Sequence, residues 1–327
     1  MGRPHFSIAL LHPRHWPTWL AIGVWWLAVQ VLPFRWQMLL GGWLGLLAGK
    51  LSQHRRIIAQ KNIALCFPDL SETEREVLYR ESMKSVGRGL FDTGIAWFWS
   101  KQAINKRIES KGQQHLKRLQ EQNVGVLFIG LHFTSLEISG PGVHKGQHFL
   151  IDGVYRPHRN PVYDYIQRKG RERHGPDFKV VPRAEVRSMV KCLRKGRALS
   201  YLPDQDYGPK HSVFVPFFGV STAVVTAPSQ LVKMGRAAVL AYRAVRKSDL
   251  SGYEVEIFPL EGYGAGDTAQ DASLLSEFIE TRIREHPAQY LWVHRRFKTR
   301  PDGQRDFYQI AHLPWLKKRR RSRSRAP

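Results

Sequence analysis

The stretch 125–140, GVLFIGLHFTSLEISG, carries a histidine and a carboxylate five positions apart, just where an apolar run ends. An imidazole with an ordinary pKa of about 6.5 can take a proton from a hydroxyl near neutral pH. A carboxylate on its second nitrogen would fix the tautomer and steady the imidazolium. His132 is therefore a candidate general base and Glu137 its candidate orienting partner, provided that His132 occupies a turn and the following helical turn folds Glu137 back towards the ring. The spacing alone is thin support, because about one such pair arises by chance with 14 His and 27 Asp+Glu. It is the only match in the chain, so its surroundings have to carry the assignment. Without them, the pair is a histidine at a strand end and a glutamate on a solvated helix face.

Those surroundings read as alternating strands and helices. The run 126–129 has the length of a buried strand, Gly130 ends it, and a helix start follows. Strands are predicted at 124–129, 148–155, 198–202, 238–242 and 253–260, with amphipathic helices between them. The clearest helix, 185–195, places Val186, Met189, Val190 and Leu193 at i, i+3, i+4 and i+7 and is followed by Gly196. This alternation predicts an α/β fold with a mixed, mostly parallel sheet flanked by helices. In such sheets the carboxyl ends of the strands share one rim, where ligands bind. Three predicted strands lead into polar clusters, so His132, Arg156 and Asp204 could meet there although they lie far apart in the chain. Arg156 and Arg171 suit an anionic group; on an open surface the same arginines would make weak ion pairs. Asp204 and Asp206 could orient an arginine or form a turn, and two acids alone do not make a metal site. The chain has no G-x-S-x-G elbow, no phosphate-binding P-loop and no catalytic cysteine signature, and 262–266 reads as a loop. A base without a protein nucleophile points to direct transfer, in which the histidine activates a substrate hydroxyl.

The 327 residues carry a formal charge of +24, which calls for anionic partners: nucleic acid, an acidic membrane or an acidic protein. Seven of those charges lie in 317–325, leaving +17 on the rest. Two cysteines, Cys66 and Cys192, exclude a disulfide framework and fit a reducing compartment. Five of ten tryptophans fall in the first 36 residues, a crowding that favours a membrane interface over a nucleic-acid arm. The chain divides into a basic N-terminus (1–16), a membrane anchor with an interfacial segment (17–50), a helical region (51–110), a catalytic core (111–303) and a basic tail (304–327). The stretch 17–32 is expected to anchor the chain, and the following Lys50, Arg55, Arg56 and Lys61 place the body on the cytoplasmic side. Ser71 and Glu74 form a capping box that opens a long helix towards Trp99.

Several stretches resemble one family: 66–71 (CFPDLS), 93–99 (TGIAWFW), 132–137 (HFTSLE), 155–161 (YRPHRNP), 204–209 (DQDYGP) and 292–301 (WVHRRFKTRP). From near Leu10 to about Gly303 the chain resembles the late acyltransferases of lipid A biosynthesis in Gram-negative bacteria, specifically the lauroyl and palmitoleoyl branch. The resemblance implies acyl transfer from acyl carrier protein to a Kdo-bearing lipid A precursor at the cytoplasmic face of the inner membrane, without metal or other cofactor. Carried onto this sequence, it implies His132 as base, Glu137 as its partner, and Arg171 and Asp204 as site residues, with Arg156 in a matching motif. The basic tail departs from the family pattern and is assigned no catalytic part. Two other readings remain at this level: an acyltransferase using glycerol phosphate or a glycosylated phosphoinositide, and a non-enzymatic protein that binds anionic membranes or nucleic acid.

Overall fold

The computed structural model describes residues 6–175 and 177–308, so the charge run at 317–325 and residues 1–5 of the basic N-terminus lie outside the described residues. Among the described residues nine strands are formed: β1 (Ile108–Lys111), β2 (Val126–Gly130), β3 (Ile151–Tyr155), β4 (Lys179–Pro182), β5 (Ala198–Tyr201), β6 (Ser212–Phe217), β7 (Val220–Val225), β8 (Ala238–Arg246) and β9 (Tyr253–Pro259). Seven of them make one sheet in the order β1-β9-β8-β2-β5-β3-β4, and β6 and β7 form a separate antiparallel hairpin. All neighbours in the large sheet are parallel except β8 and β9. This is the mixed, mostly parallel arrangement expected, and each of the five predicted strands is present. The sheet begins at Ile108 and also includes β4, which carries a weaker apolar signal.

Central strand β2 is buried along its whole length, which explains its unbroken apolar run: a parallel strand covered on both faces needs apolar side chains on each. Leu127, Ile129, Leu199 and Ala241 face one apolar core, while Val126, Phe128, Ala198 and Tyr242 face the other. The first core is completed by α3 (Gln53–Cys66), α9 (Val186–Arg194), α10 (Ala227–Gly235) and α11 (Thr268–Glu285). The second lies under α4 (Glu72–Phe98), α6 (Gln113–Glu121) and α7 (Ser139–Val143). The short α5 (Lys101–Asn105) leads into β1, and α8 (Pro161–Glu172) follows β3. The Ser71–Glu74 capping box is formed, with both reciprocal hydrogen bonds present.

A membrane-crossing N-terminal anchor is not supported by the structure. Among the described residues no helix is long and apolar enough to cross a membrane. The physical reason is breakage: α1 (Trp16–Val31) has 16 residues, a rise of about 24 Å, and the chain leaves helical geometry at Leu32 and Pro33. α2 (Phe34–Leu51) carries Arg35 and Lys50 and turns a glycine face to α4. A Cβ on Gly45 would stand 1.9 Å from the Met83 carbonyl oxygen, and one on Gly87 would stand 2.0 Å from that of Gly41. The two backbones therefore touch at a crossing that only glycines permit. The opposite faces stay uncovered. Trp16, Leu20, Val24, Leu27 and Val31 form an exposed apolar stripe on α1, as do Trp36, Leu40, Trp43, Leu47 and Leu51 on α2.

Candidate active site

Strand register brings the first two functional side chains together. β2 and β5 are parallel neighbours with Ile129 opposite Tyr201; His132 and Asp204 each lie three residues further on, so both emerge at the same level of the rim. Asp204 holds His132 twice: Oδ2 accepts the backbone N–H at 2.7 Å and Oδ1 meets ring Nδ1 at 2.6 Å. Asp204 is fully buried, whereas the His132 side chain is 23% exposed. Burial opposes the charge on Asp204, but the His132 ring and backbone hydrogen bonds and Arg296 together hold its pKa below the usual aspartate value. With Nδ1–H donated to a carboxylate, Nε2 is the lone-pair nitrogen available as a base.

Glu137, expected on this ring, is engaged elsewhere. Its carboxylate accepts from Arg171 Nε at 3.1 Å to both oxygens and pairs with Arg171 Nη2, while Trp97 Nε1 donates to Oε2 at 2.9 Å. The chain after His132 closes tight turns through Leu136 and Ile138, and this carries Glu137 to the side of α4 and α8. The partner of the His132 ring is thus the carboxylate from the neighbouring strand. Burial alone would raise the Glu137 pKa; Arg171 and Trp97 overcome it, leaving the carboxyl below its ordinary value.

His132, Glu137, Arg156 and Arg171 all line one cavity of about 870 Å³, and Asp204 sits behind His132. Its exposed rim is basic, with Arg156, Arg183, Lys210 and His211. Its buried depth is apolar, with Phe128, Val143 and Ile151, beside Phe178 and Gly153. Two histidines lie in that depth: burial pushes His174 down to about 3 and lowers His144, and their rings face backbone carbonyls.

A second network fixes the turn that carries His132. Arg246 pairs with buried Asp92 and donates to the hydroxyls of Ser85 and Thr134; Tyr253 also donates to Asp92, at 2.8 Å. Gln289 exchanges hydrogen bonds with the Arg246 backbone, and its own carbonyl accepts the Thr134 N–H. Leu291 N–H donates to the His132 carbonyl. Asp206, the second acid of its cluster, accepts from the Thr299 N–H and hydroxyl and so ties the 292–301 stretch to the rim. Reasoning from the sequence overlooked Trp97, Asp92 and Arg246 as site supports. A buried Asp–Arg pair between a helix and a strand has no local spacing by which to find it.

The sheet thus carries a histidine–carboxylate pair at its rim, at the mouth of a cavity with an apolar depth. Over residues 3–299 the sequence matches the family model for bacterial lipid A biosynthesis acyltransferases. It is 42% identical to the lipid A biosynthesis palmitoleoyltransferase of Escherichia coli K12 over 305 residues, 93% of this chain and 98% of that protein. To the lauroyltransferase of the same organism it is 41% identical over 309 residues, 92% and 97% of the two chains. Identity to the E. coli myristoyltransferase is 27% over 302 residues. The chain belongs to the bacterial lipid A biosynthesis acyltransferases and is an acyltransferase of the Gram-negative type.

Two outcomes are expected from this geometry. Asp92→Asn leaves the Arg246 charge buried without its counter-ion and should destabilise the protein by about 3–5 kcal/mol, read as a lower urea midpoint in detergent. Asp204 and Glu137 both have lowered pKa values in the folded state, so between those values and about pH 4 the unfolded chain binds more protons. The contribution of these two groups to stability should therefore rise with pH across that window and fall away on acidification. Urea midpoints between pH 3 and 5.5 should show this slope, and Glu137→Gln should flatten it.

Proposed function

We propose that this acyltransferase moves a fatty acyl group, lauroyl by default, from acyl carrier protein to the hydroxyl of a 3-hydroxyacyl chain on a Kdo-bearing lipid A precursor. The observation that carries the reading is the His132–Asp204 pair at the basic mouth of a cavity with an apolar depth. His132 Nε2 takes the hydroxyl proton, and Asp204 holds the tautomer and steadies the imidazolium. The alkoxide oxygen then bonds to the thioester carbonyl carbon, the carbon–sulfur bond breaks, and the departing thiolate takes the proton back from the imidazolium. Glu137 enters as the counter-ion of Arg171, fixing a guanidinium beside the reacting groups. Arg156, Arg183 and Lys210 meet the phosphates and carboxylates of the acceptor, and the same positive rim attracts an acidic carrier protein. The exposed apolar stripes of α1 and α2 lie in the surface of the inner membrane on its cytoplasmic side, embedded without crossing it.

The test is transfer of labelled acyl groups from lauroyl-, myristoyl- and palmitoleoyl-carrier protein to the precursor in membranes carrying each variant. His132→Ala should lose about 10²–10⁴-fold in rate at unchanged protein level, and Asp204→Asn a comparable amount. Undiminished transfer by His132→Ala would sink the mechanism. Chain length is expected to depend on Gly153, where a Cβ would stand 2.8 Å from Phe178 Cζ within the cavity. Gly153→Val should shift the preference among competing donors towards the shorter chain; an unchanged preference would show that the acyl chain does not reach this strand.

A further inference from the structure

A second cavity lies away from the active site and shares none of its lining residues. It is a crevice of about 380 Å³ between α2 and the first half of α4, close to the glycine crossing of the two helices. Its walls are apolar: Trp43, Leu46 and Leu47 from α2, and Met83 from α4. Three cations line it as well, Lys50, Arg56 and Arg80. The only acid among the lining residues is Glu76, which stands 4.0 Å from Arg56 and also accepts from Gln60. Lys50 and Arg80 have no acidic partner among the described residues. An apolar slot walled in part by unpaired cations is complementary to an amphiphile that is negative at one end.

The position of the slot restricts the source of such a molecule. Trp43 and Leu47 belong both to the crevice and to the uncovered stripe of α2, so the slot opens on the apolar face of that helix. We infer that the α2–α4 crevice binds one anionic phospholipid of the bilayer, with an acyl segment against Leu46, Leu47 and Met83 and its phosphate between Lys50 and Arg80. The inference rests on the membrane-surface reading of α1 and α2 only for where the lipid comes from. The site itself is a feature of the folded chain and is testable without a bilayer. Filling it would hold α2 in a fixed relation to the lipid surface while the active-site cavity stays free for the donor and acceptor.

The probe is dihexanoyl phosphatidylglycerol below its micellar concentration, titrated calorimetrically into the full chain in non-ionic detergent. Expected is saturable binding of one equivalent at this site, with dihexanoyl phosphatidylcholine at least tenfold weaker. Lys50→Ala/Arg80→Ala should weaken binding on the order of tenfold, since each base near an anionic lipid contributes a several-fold factor. Leu46→Trp keeps every charge but fills the slot, and should also abolish the one-equivalent phase. Undiminished binding in both variants, or equal binding of the two lipids, would overturn the proposal. So would competition by millimolar inorganic phosphate as strong as by the lipid, since a bare charge patch would account for it. Association with phosphatidylcholine vesicles, measured separately for Trp36→Ser/Leu40→Ser, tests the membrane-surface reading; its failure leaves the soluble-lipid result intact.

Discussion

The site depends on the parallel pairing of β2 with β5. Parallel neighbours in register deliver residues at equal offsets to the same level of the rim, and here the two residues are an imidazole and a carboxylate. The two strands are distant in sequence, and their alignment is enforced by burial on both faces: a slip of one residue would turn every apolar side chain of β2 to the wrong core. Once aligned, Asp204 is bound by both the backbone and the ring of His132, so the carboxylate fixes the position of the imidazole as well as its tautomer. Substrate cavity, basic rim and supporting network are all arranged around this contact.

The surrounding charges follow one physical rule with different outcomes. Asp92 is fully buried and its pKa is raised, because desolvation outweighs the attraction of Arg246 and the hydrogen bond from Tyr253. Asp204 is equally buried and Glu137 nearly so, yet their partners win and both remain below ordinary values. At His174, His144 and His294 burial outweighs the hydrogen bonds and acids that favour the charged ring, and their pKa values fall. His294 in its neutral form accepts the Asp206 N–H at 3.3 Å. Anionic groups therefore sit beside cations at the rim of the cavity, while burial disfavours the charged form of the histidines in its depth.

The N-terminal helices link the composition of the chain to its setting. Their tryptophans and leucines are uncovered on one face, and their glycines let α2 approach α4 to backbone contact on the other. Apolar content that reads in one dimension as a membrane crossing is divided in three dimensions between a packing face and an open stripe. Helix length and the break at Pro33 decide between these, since about 20 apolar residues are needed to span a bilayer.

Much of this was legible in the sequence because it rests on local chemistry. Apolar runs bounded by glycine mark β2 and β5, the 3.6-residue period marks α9, and Ser71 with Glu74 marks the start of α4. His132 as the candidate base, with Arg156 and Asp204 at the same rim, also followed from the sequence, because residues after parallel strands share an edge; Arg171 entered only as a second candidate for an anionic group and through the family resemblance. The pairing within that rim did not follow. A spacing of five residues favoured Glu137 for His132, but tight turns after β2 send Glu137 to Arg171 and Trp97, and strand register brings Asp204 to the ring. Sequence spacing limits which groups can meet within one turn of chain. Contacts between elements are set by register and packing, and only the assembled sheet and helices decided which carboxylate His132 received.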